Sequence, residues 1–216
     1  KKYRPKIVFA SSANLYGAAE TMPVNEESCD DPLTLWAVHK LMAEQYVRQY
    51  FQKFDMKSIT LRLANVYGPT AYLRAMNRVV INKVIHQALT GGGLTTYANH
   101  HCIRDYVFLK DVVEAFLLAG SCWDSIDGLT YLIGSGEGKT MEDVWQLIAE
   151  RIRLHTGKHI RVRFEASVKI EPLEMRNFVA DITRFQTVTA WEPLVGLPQG
   201  IDATIKTILS GQGSLL

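Results

Sequence analysis

Lys6-Ile7-Val8-Phe9-Ala10-Ser11-Ser12-Ala13-Asn14-Leu15-Tyr16-Gly17 is the stretch from which the fold is read. Residues 6–10 form a short apolar run ending in a small residue, the pattern of a strand buried on both faces, as in a parallel sheet. Ser11 and Ser12 follow at once, so their hydroxyls stand at the carboxyl end of that strand, where open α/β sheets receive ligands. Alone, such a Ser-Ser pair also reads as turn chemistry or a helix cap.

Downstream, Leu35, Val38, Met42, Tyr46 and Tyr50 recur at helical spacing between Leu33 and Phe54, and Trp36, Ala43, Val47 and Phe51 form a second stripe beside them. That helix needs cover on two faces, one from the sheet and the other from a second helix or a partner subunit. The pattern continues with strands over 59–63, 95–98, 129–133 and 160–164, and helices over 74–89, 111–119, 141–155 and 198–209. Strands alternating with helices predict an α/β fold with a parallel sheet, weakening into a smaller mixed region after about residue 155. No internal repeat, low-complexity stretch or clear linker interrupts the 216 residues.

A chain of this length buries roughly 70% of its unfolded surface and needs no disulfide staples. Apolar residues make up 47% and charged residues 21%, which excludes a disordered tail, a collagen-like repeat or a coiled coil. A net charge of +2 without a long basic cluster argues against nucleic-acid binding. No apolar run reaches the ~18 residues that span a bilayer, and the polar start lacks a signal-peptide core, so a cytoplasmic protein is expected. Cys29, Cys102 and Cys122 have no CxxC spacing, and Asn99-His100-His101-Cys102 has no second cluster to complete a tetrahedral set, so no metal site is expected. Gly134-Ser135-Gly136-Glu137-Gly138-Lys139-Thr140 falls one residue short of a Walker A loop and lacks the third Gly of a dinucleotide fingerprint; Thr140 instead reads as a helix N-cap with Asp143 three residues on.

Three further blocks follow the Ser pair in fixed order. Pro32-Leu33-Thr34-Leu35-Trp36-Ala37-Val38-His39-Lys40 sets Trp36 and Lys40 one helical turn apart, on one face. Leu61-Arg62-Leu63-Ala64-Asn65-Val66-Tyr67-Gly68-Pro69 ends a strand, and Arg104-Asp105-Tyr106-Val107 precedes Asp111-Val112-Val113. With these blocks the chain resembles the extended short-chain dehydrogenase/reductase family, its nucleotide-sugar epimerases and dehydratases in particular, from Lys6 to about Leu209. The resemblance implies the C-terminal portion of a Rossmann-like doubly wound parallel sheet with a small mixed substrate-binding region. Residues 1–155 would form the partial NAD(P)-binding domain, and 156–216 mainly the substrate region and C-terminal helix. The function implied is hydride transfer at a sugar hydroxyl, using NAD or NADP and a nucleotide-sugar substrate.

The family's Ser/Thr, Tyr and Lys correspond to Ser12, Trp36 and Lys40. Trp36 therefore stands where the acid/base Tyr is expected, and an indole N–H donates hydrogen bonds but exchanges no proton near neutral pH. Tyr16 lies near the motif and is the one residue placed to substitute, although packing is its expected role. The resemblance assigns Ser11, Lys40, Leu63 and Val66 to the cofactor, and Ser12, Asn14, Asn65, Thr96, Tyr97 and Arg104 to the substrate, with Asn65 and Arg104 at the diphosphate. Read without it, Asn65 caps a turn, Arg104 makes a surface ion pair and Tyr97 is core. Two departures qualify the match. Glu171 takes the place of a phosphate-gripping Arg, leaving Arg176 as the nearby alternative, and Ala13-Asn14 replaces the Asp-Glu pair of the 4,6-dehydratases, which leaves the epimerase, reductase or decarboxylase branches.

The family's Gly-rich cofactor loop has no counterpart in these residues, which begin at what would be its fifth strand. An impaired enzyme is therefore expected, either part of a longer polypeptide or pairing the edge of strand 6–10 with another copy. Because the family dimerises through the element corresponding to helix 33–54, a homo-oligomer is expected as well. The alternative from another class is a catalytically inactive binding or assembly module on the same scaffold.

Overall fold

The computed structural model describes residues 5–70, 78–91, 93–123, 128–165 and 170–211. In chain order its strands are β1 (Ile7–Ser12), β2 (Ser58–Leu63), β3 (Asn65–Tyr67), β4 (Leu94–Thr96), β5 (Ile103–Phe108), β6 (Thr130–Ile133), β7 (Gly138–Thr140) and β8 (Val162–Phe164). The helices are α1 (Leu35–Phe54), α2 (Val80–Leu89), α3 (Leu109–Ala119), α4 (Met141–Thr156), α5 (Thr183–Thr189) and α6 (Leu197–Leu209).

Strands β1, β2 and β6 form a parallel sheet in that order, with Ile7 opposite Ser58, Ser12 opposite Leu63, and Leu63 opposite Ile133. In the central strand Ser58 through Arg62 are buried. At the edge, Ile7, Val8 and Phe9 are only half-buried and Ala10 is exposed, which corrects the expectation of a strand covered on both faces. The physical reason is that β1 has a strand beside it on one side only, among the described residues. A second sheet joins β3 to β5 in parallel and β5 to β7 in antiparallel fashion, and β4 pairs in parallel with β8.

Helix α1 begins where Thr34 Oγ1 accepts from the Ala37 N–H at 3.2 Å. Its face toward β1 and β2 buries Ala37 and, unexpectedly, Glu44. Glu44 is tolerated there because Arg62 of β2 reaches it at 2.6 Å and Asp30 at 2.6 Å, so the buried charges are matched. The other stripe is bare: Leu35, Met42, Tyr46 and Tyr50 are each more than half exposed. One apolar cluster, including Ile59, Leu61, Leu132, Phe178, Phe185 and Trp191, lies against the first sheet. A second, including Ile81, Ile85, Val144, Ile148, Ile201 and Ile205, joins α2, α4 and α6.

The 134–140 stretch is occupied by the protein itself. The buried Asp105 carboxylate accepts from Ser135 N–H at 2.7 Å, Ser135 Oγ at 2.8 Å, and Gly136 N–H and Ala180 N–H at 3.1 Å each. A side chain at Gly134 would come within 2.5 Å of that carboxylate, so the glycine serves close approach to Asp105, not to a phosphate. Thr140 Oγ1 caps α4 by accepting from the Asp143 N–H at 3.1 Å. Replacing Thr140 with Ala is expected to cost ~1 kcal/mol; a melting curve should show a fall of ~2–4 °C.

The helix expected over 74–89 is observed from Val80, positions 74–77 lying outside the described residues. Strand β5 escapes a reading by apolar runs because charged Arg104 and Asp105 sit inside it. Helix α5 is short and rich in Thr, whose hydroxyls turn back on its own carbonyls, Thr187 to Thr183 at 2.8 Å and Thr189 to Phe185 at 2.7 Å. Among the described residues no helix is long and apolar enough to cross a membrane, and no group of His, Cys, Asp and Glu is arranged to hold a metal.

Candidate active site

The chain changes sheets at Ala64. Strand β2 ends at Leu63 beside β1 and β6, and β3 starts at Asn65 beside β5, while the Ala64 N–H donates to the Ile133 carbonyl at 2.8 Å. Where the sheets part, at the carboxyl ends of β1 and β2, a cavity of about 1070 Å³ opens. Such a switch point is where open α/β sheets bind ligands. Every residue expected at the site lines this one cavity: Ser11, Ser12, Asn14, Trp36, Lys40, Leu63, Asn65, Val66, Thr96, Tyr97 and Arg104.

Ser12 Oγ accepts from the Asn14 N–H at 3.1 Å, capping a short 3₁₀ turn over Ala13–Tyr16 and fixing the hydroxyl at the cavity edge. From the first two turns of α1 come Trp36 and Lys40. The Lys40 ammonium donates to the Ala10 carbonyl at 2.8 Å and lies 5.1 Å from the Phe9 ring centroid and 5.8 Å from that of Trp36. Tyr16 does not line the cavity; it is buried beneath the Arg62 guanidinium, 4.7 Å from its ring, and burial pushes its hydroxyl up to about 12. Tyr106 does line the cavity, and burial likewise pushes it up to about 12. Neither phenol is tuned toward neutral-pH proton exchange.

Arg104, expected at the diphosphate, lines the cavity. Its guanidinium donates to the carbonyls of Ile103, Glu174 and Arg176, so it holds the 174–176 backbone in place. Arg176 is thereby held on the cavity wall, only 6% exposed, with one nitrogen on Asn14 Oδ1 and Nε and Nη1 without partners. Burial and the neighbouring Arg104 charge push its pKa down to about 10, which leaves it charged at neutral pH. Glu171 is exposed and does not line the cavity. Asn65 Nδ2 donates to the Asp105 carbonyl at 2.9 Å.

Other cavity residues carry no motif in the sequence: Arg78, Lys83, Trp145 and Asn99, whose Oδ1 is buried and unpartnered. Only their isolated charge or size marked them. Thr96 Oγ1 and Ser11 Oγ are also buried without partners. Buried polar atoms are ordinarily satisfied, so orphans gathered around one cavity are groups a polar ligand would complete.

A cavity at a sheet switch point, walled by Ser, Lys and Arg side chains, marks an open α/β protein with a ligand-sized recess at the carboxyl ends of its strands. The chain belongs to the NAD dependent epimerase/dehydratase family, which it matches over residues 1–134. It is 28% identical to the dTDP-4-dehydro-6-deoxyglucose reductase of Escherichia coli, over 94% of this chain and 61% of the relative. To the UDP-glucose 4-epimerase of Mycolicibacterium smegmatis it is 30% identical, over 93% of this chain and 61% of the relative. The UDP-glucuronic acid 4-epimerase of Bacillus cereus, solved with UDP-glucuronic acid and NAD, superposes with a TM-score of 0.81 at 26% identity, over 95% of this chain and 62% of that one. The chain thus spans about three fifths of the length of the relatives it matches.

Proposed function

We propose that the cavity binds a nucleotide-sugar diphosphate and that this chain belongs to an epimerase- or reductase-type protein whose chemistry at a sugar hydroxyl is attenuated by Trp36. The observation that carries this reading is the shared cavity of Ser12, Trp36 and Lys40 with the Arg176 guanidinium, two of whose nitrogens are buried without partners. Arg176 would take the diphosphate, helped by Lys83 and Arg78 at the rim, while Ser12 and Asn14 would face the sugar. Arg104 acts through Arg176 by holding its backbone.

The nicotinamide end of NAD or NADP suits the remaining wall. Ser11 Oγ is an orphaned hydroxyl there, Lys40 keeps donors beyond the one on Ala10, and Leu63 and Val66 give an apolar face. When bound, that group accepts or returns hydride at a sugar carbon. Lys40 would orient the adjoining ribose, and Ser12 would share the proton of the reacting hydroxyl. Trp36 can donate a hydrogen bond but cannot take that proton away.

Titration calorimetry with UDP-glucose tests the reading: saturable binding to one site is expected, and no heat with UDP-glucose, UDP-glucuronic acid or UDP would overturn it. A homodimer through α1 is part of the same proposal, supported by the exposed Leu35, Met42, Tyr46 and Tyr50 stripe. Light scattering should give twice the mass of one chain, and Tyr46→Glu should return it to a single chain; a single-chain mass before the substitution would contradict the dimer.

A further inference from the structure

Trp36 is exceptional among the tryptophans. Trp123, Trp145 and Trp191 are at most 8% exposed, and each donates its indole N–H to a backbone carbonyl, of Gly120, Thr95 and Asp111 respectively. Trp36 is 51% exposed, and it lines the cavity beside Ser12 and Lys40. The Lys40 ammonium lies over its ring, which orients the indole in the first turn of α1. An indole is the largest apolar side chain, and leaving half of it wet in a recess gives up stabilisation that an occupant with an apolar face would recover. Ligand pockets combine such an aromatic wall with a few placed polar groups, here the Ser12 hydroxyl and the Asn14 amide.

We propose that Trp36 is a stacking platform for the sugar ring of the nucleotide sugar, so that the residue which removes proton exchange adds affinity for the pyranose. The ligand chemistry follows from the surroundings: a ring with hydroxyls on its rim for Ser12 and Asn14, and a face of C–H groups for the indole. The charged part of the ligand lies toward Arg176. This inference rests on the reading of the cavity as a nucleotide-sugar site, and the test separates the two.

Affinities of UDP-glucose and of UDP are measured for the unchanged chain, Trp36→Ala and Trp36→Phe, together with tryptophan emission. With Trp36→Ala, UDP-glucose should bind about tenfold more weakly while UDP stays within about twofold, because only the sugar meets the ring. With Trp36→Phe, UDP-glucose affinity should stay within about threefold of the unchanged chain, since a smaller aromatic face remains, and the ligand-induced emission change should shrink to what Trp145, which also lines the cavity, contributes. Equal UDP-glucose affinity in Trp36→Ala and the unchanged chain would overturn the platform and leave the site reading intact. UDP binding no weaker than UDP-glucose binding in the unchanged chain would overturn the platform alone, and failure of UDP-glucose, UDP-glucuronic acid and UDP all to bind it would overturn both.

Discussion

Replacing Trp36 with Tyr is expected to raise turnover of a nucleotide sugar by ~10²–10⁴-fold, the range that a positioned acid/base group contributes. Trp36 and Lys40 line the cavity with Ser12, and the helix that carries them is capped and packed on β1 and β2. A phenol at position 36 would therefore emerge one helical turn from the Lys40 ammonium, and a neighbouring cation favours the phenolate and draws its pKa toward the working range. The burial that holds Tyr16 and Tyr106 near 12 would not act on it, because position 36 is half exposed. The assay follows interconversion of UDP-glucose with its 4-epimer in the presence of added NAD. Substantial turnover in the unchanged chain that Trp36→Tyr leaves unaltered would contradict the assignment of position 36.

Replacing Arg176 with Met should weaken UDP and UDP-glucose alike by ~10²-fold, since charge-assisted bonds to a diphosphate are worth more than neutral ones and the truncated pair is a buried one. Met approximates the volume of the side chain while removing its donors. The accompanying stability change distinguishes a ligand-binding role from a structural one. In the ligand-free state the guanidinium is buried with two nitrogens unpartnered and the Arg104 charge nearby, so its removal relieves an uncompensated burial of charge. The melting temperature of Arg176→Met should therefore hold or rise even as affinity falls. Unchanged UDP affinity in a folded Arg176→Met would contradict the anion-binding role.

Much of the scaffold was legible because its signals are local. The apolar run at 6–10, the helical stripes of α1 and the Thr140 cap each report on a few consecutive residues, and they recur with ends shifted by one or two positions. What stayed hidden depends on partners distant in sequence. Arg104 looks like a free cation until β5 brings it under the 174–176 backbone, where the Glu174 and Arg176 carbonyls engage it together with that of Ile103. Glu44 looks like a surface residue of α1 until Arg62, which also pairs with Asp30, meets it. The Gly134-Ser135-Gly136 turn has the composition of an anion-binding loop, and its donors are taken up by the Asp105 carboxyl group. The motif residues of the site were readable from their order and spacing, whereas Arg78, Lys83 and Asn99 reach the cavity only through α2 and the loop after β4.

A crystal structure of this chain grown with UDP-glucose examines the whole arrangement at once. The expected map places the diphosphate within hydrogen-bond distance of the Arg176 guanidinium and the glucose ring over the Trp36 indole, its reacting hydroxyl toward Ser12. A ligand bound elsewhere, or one lying in the cavity with Arg176 Nε and Nη1 still without partners and the sugar away from Trp36, would contradict it.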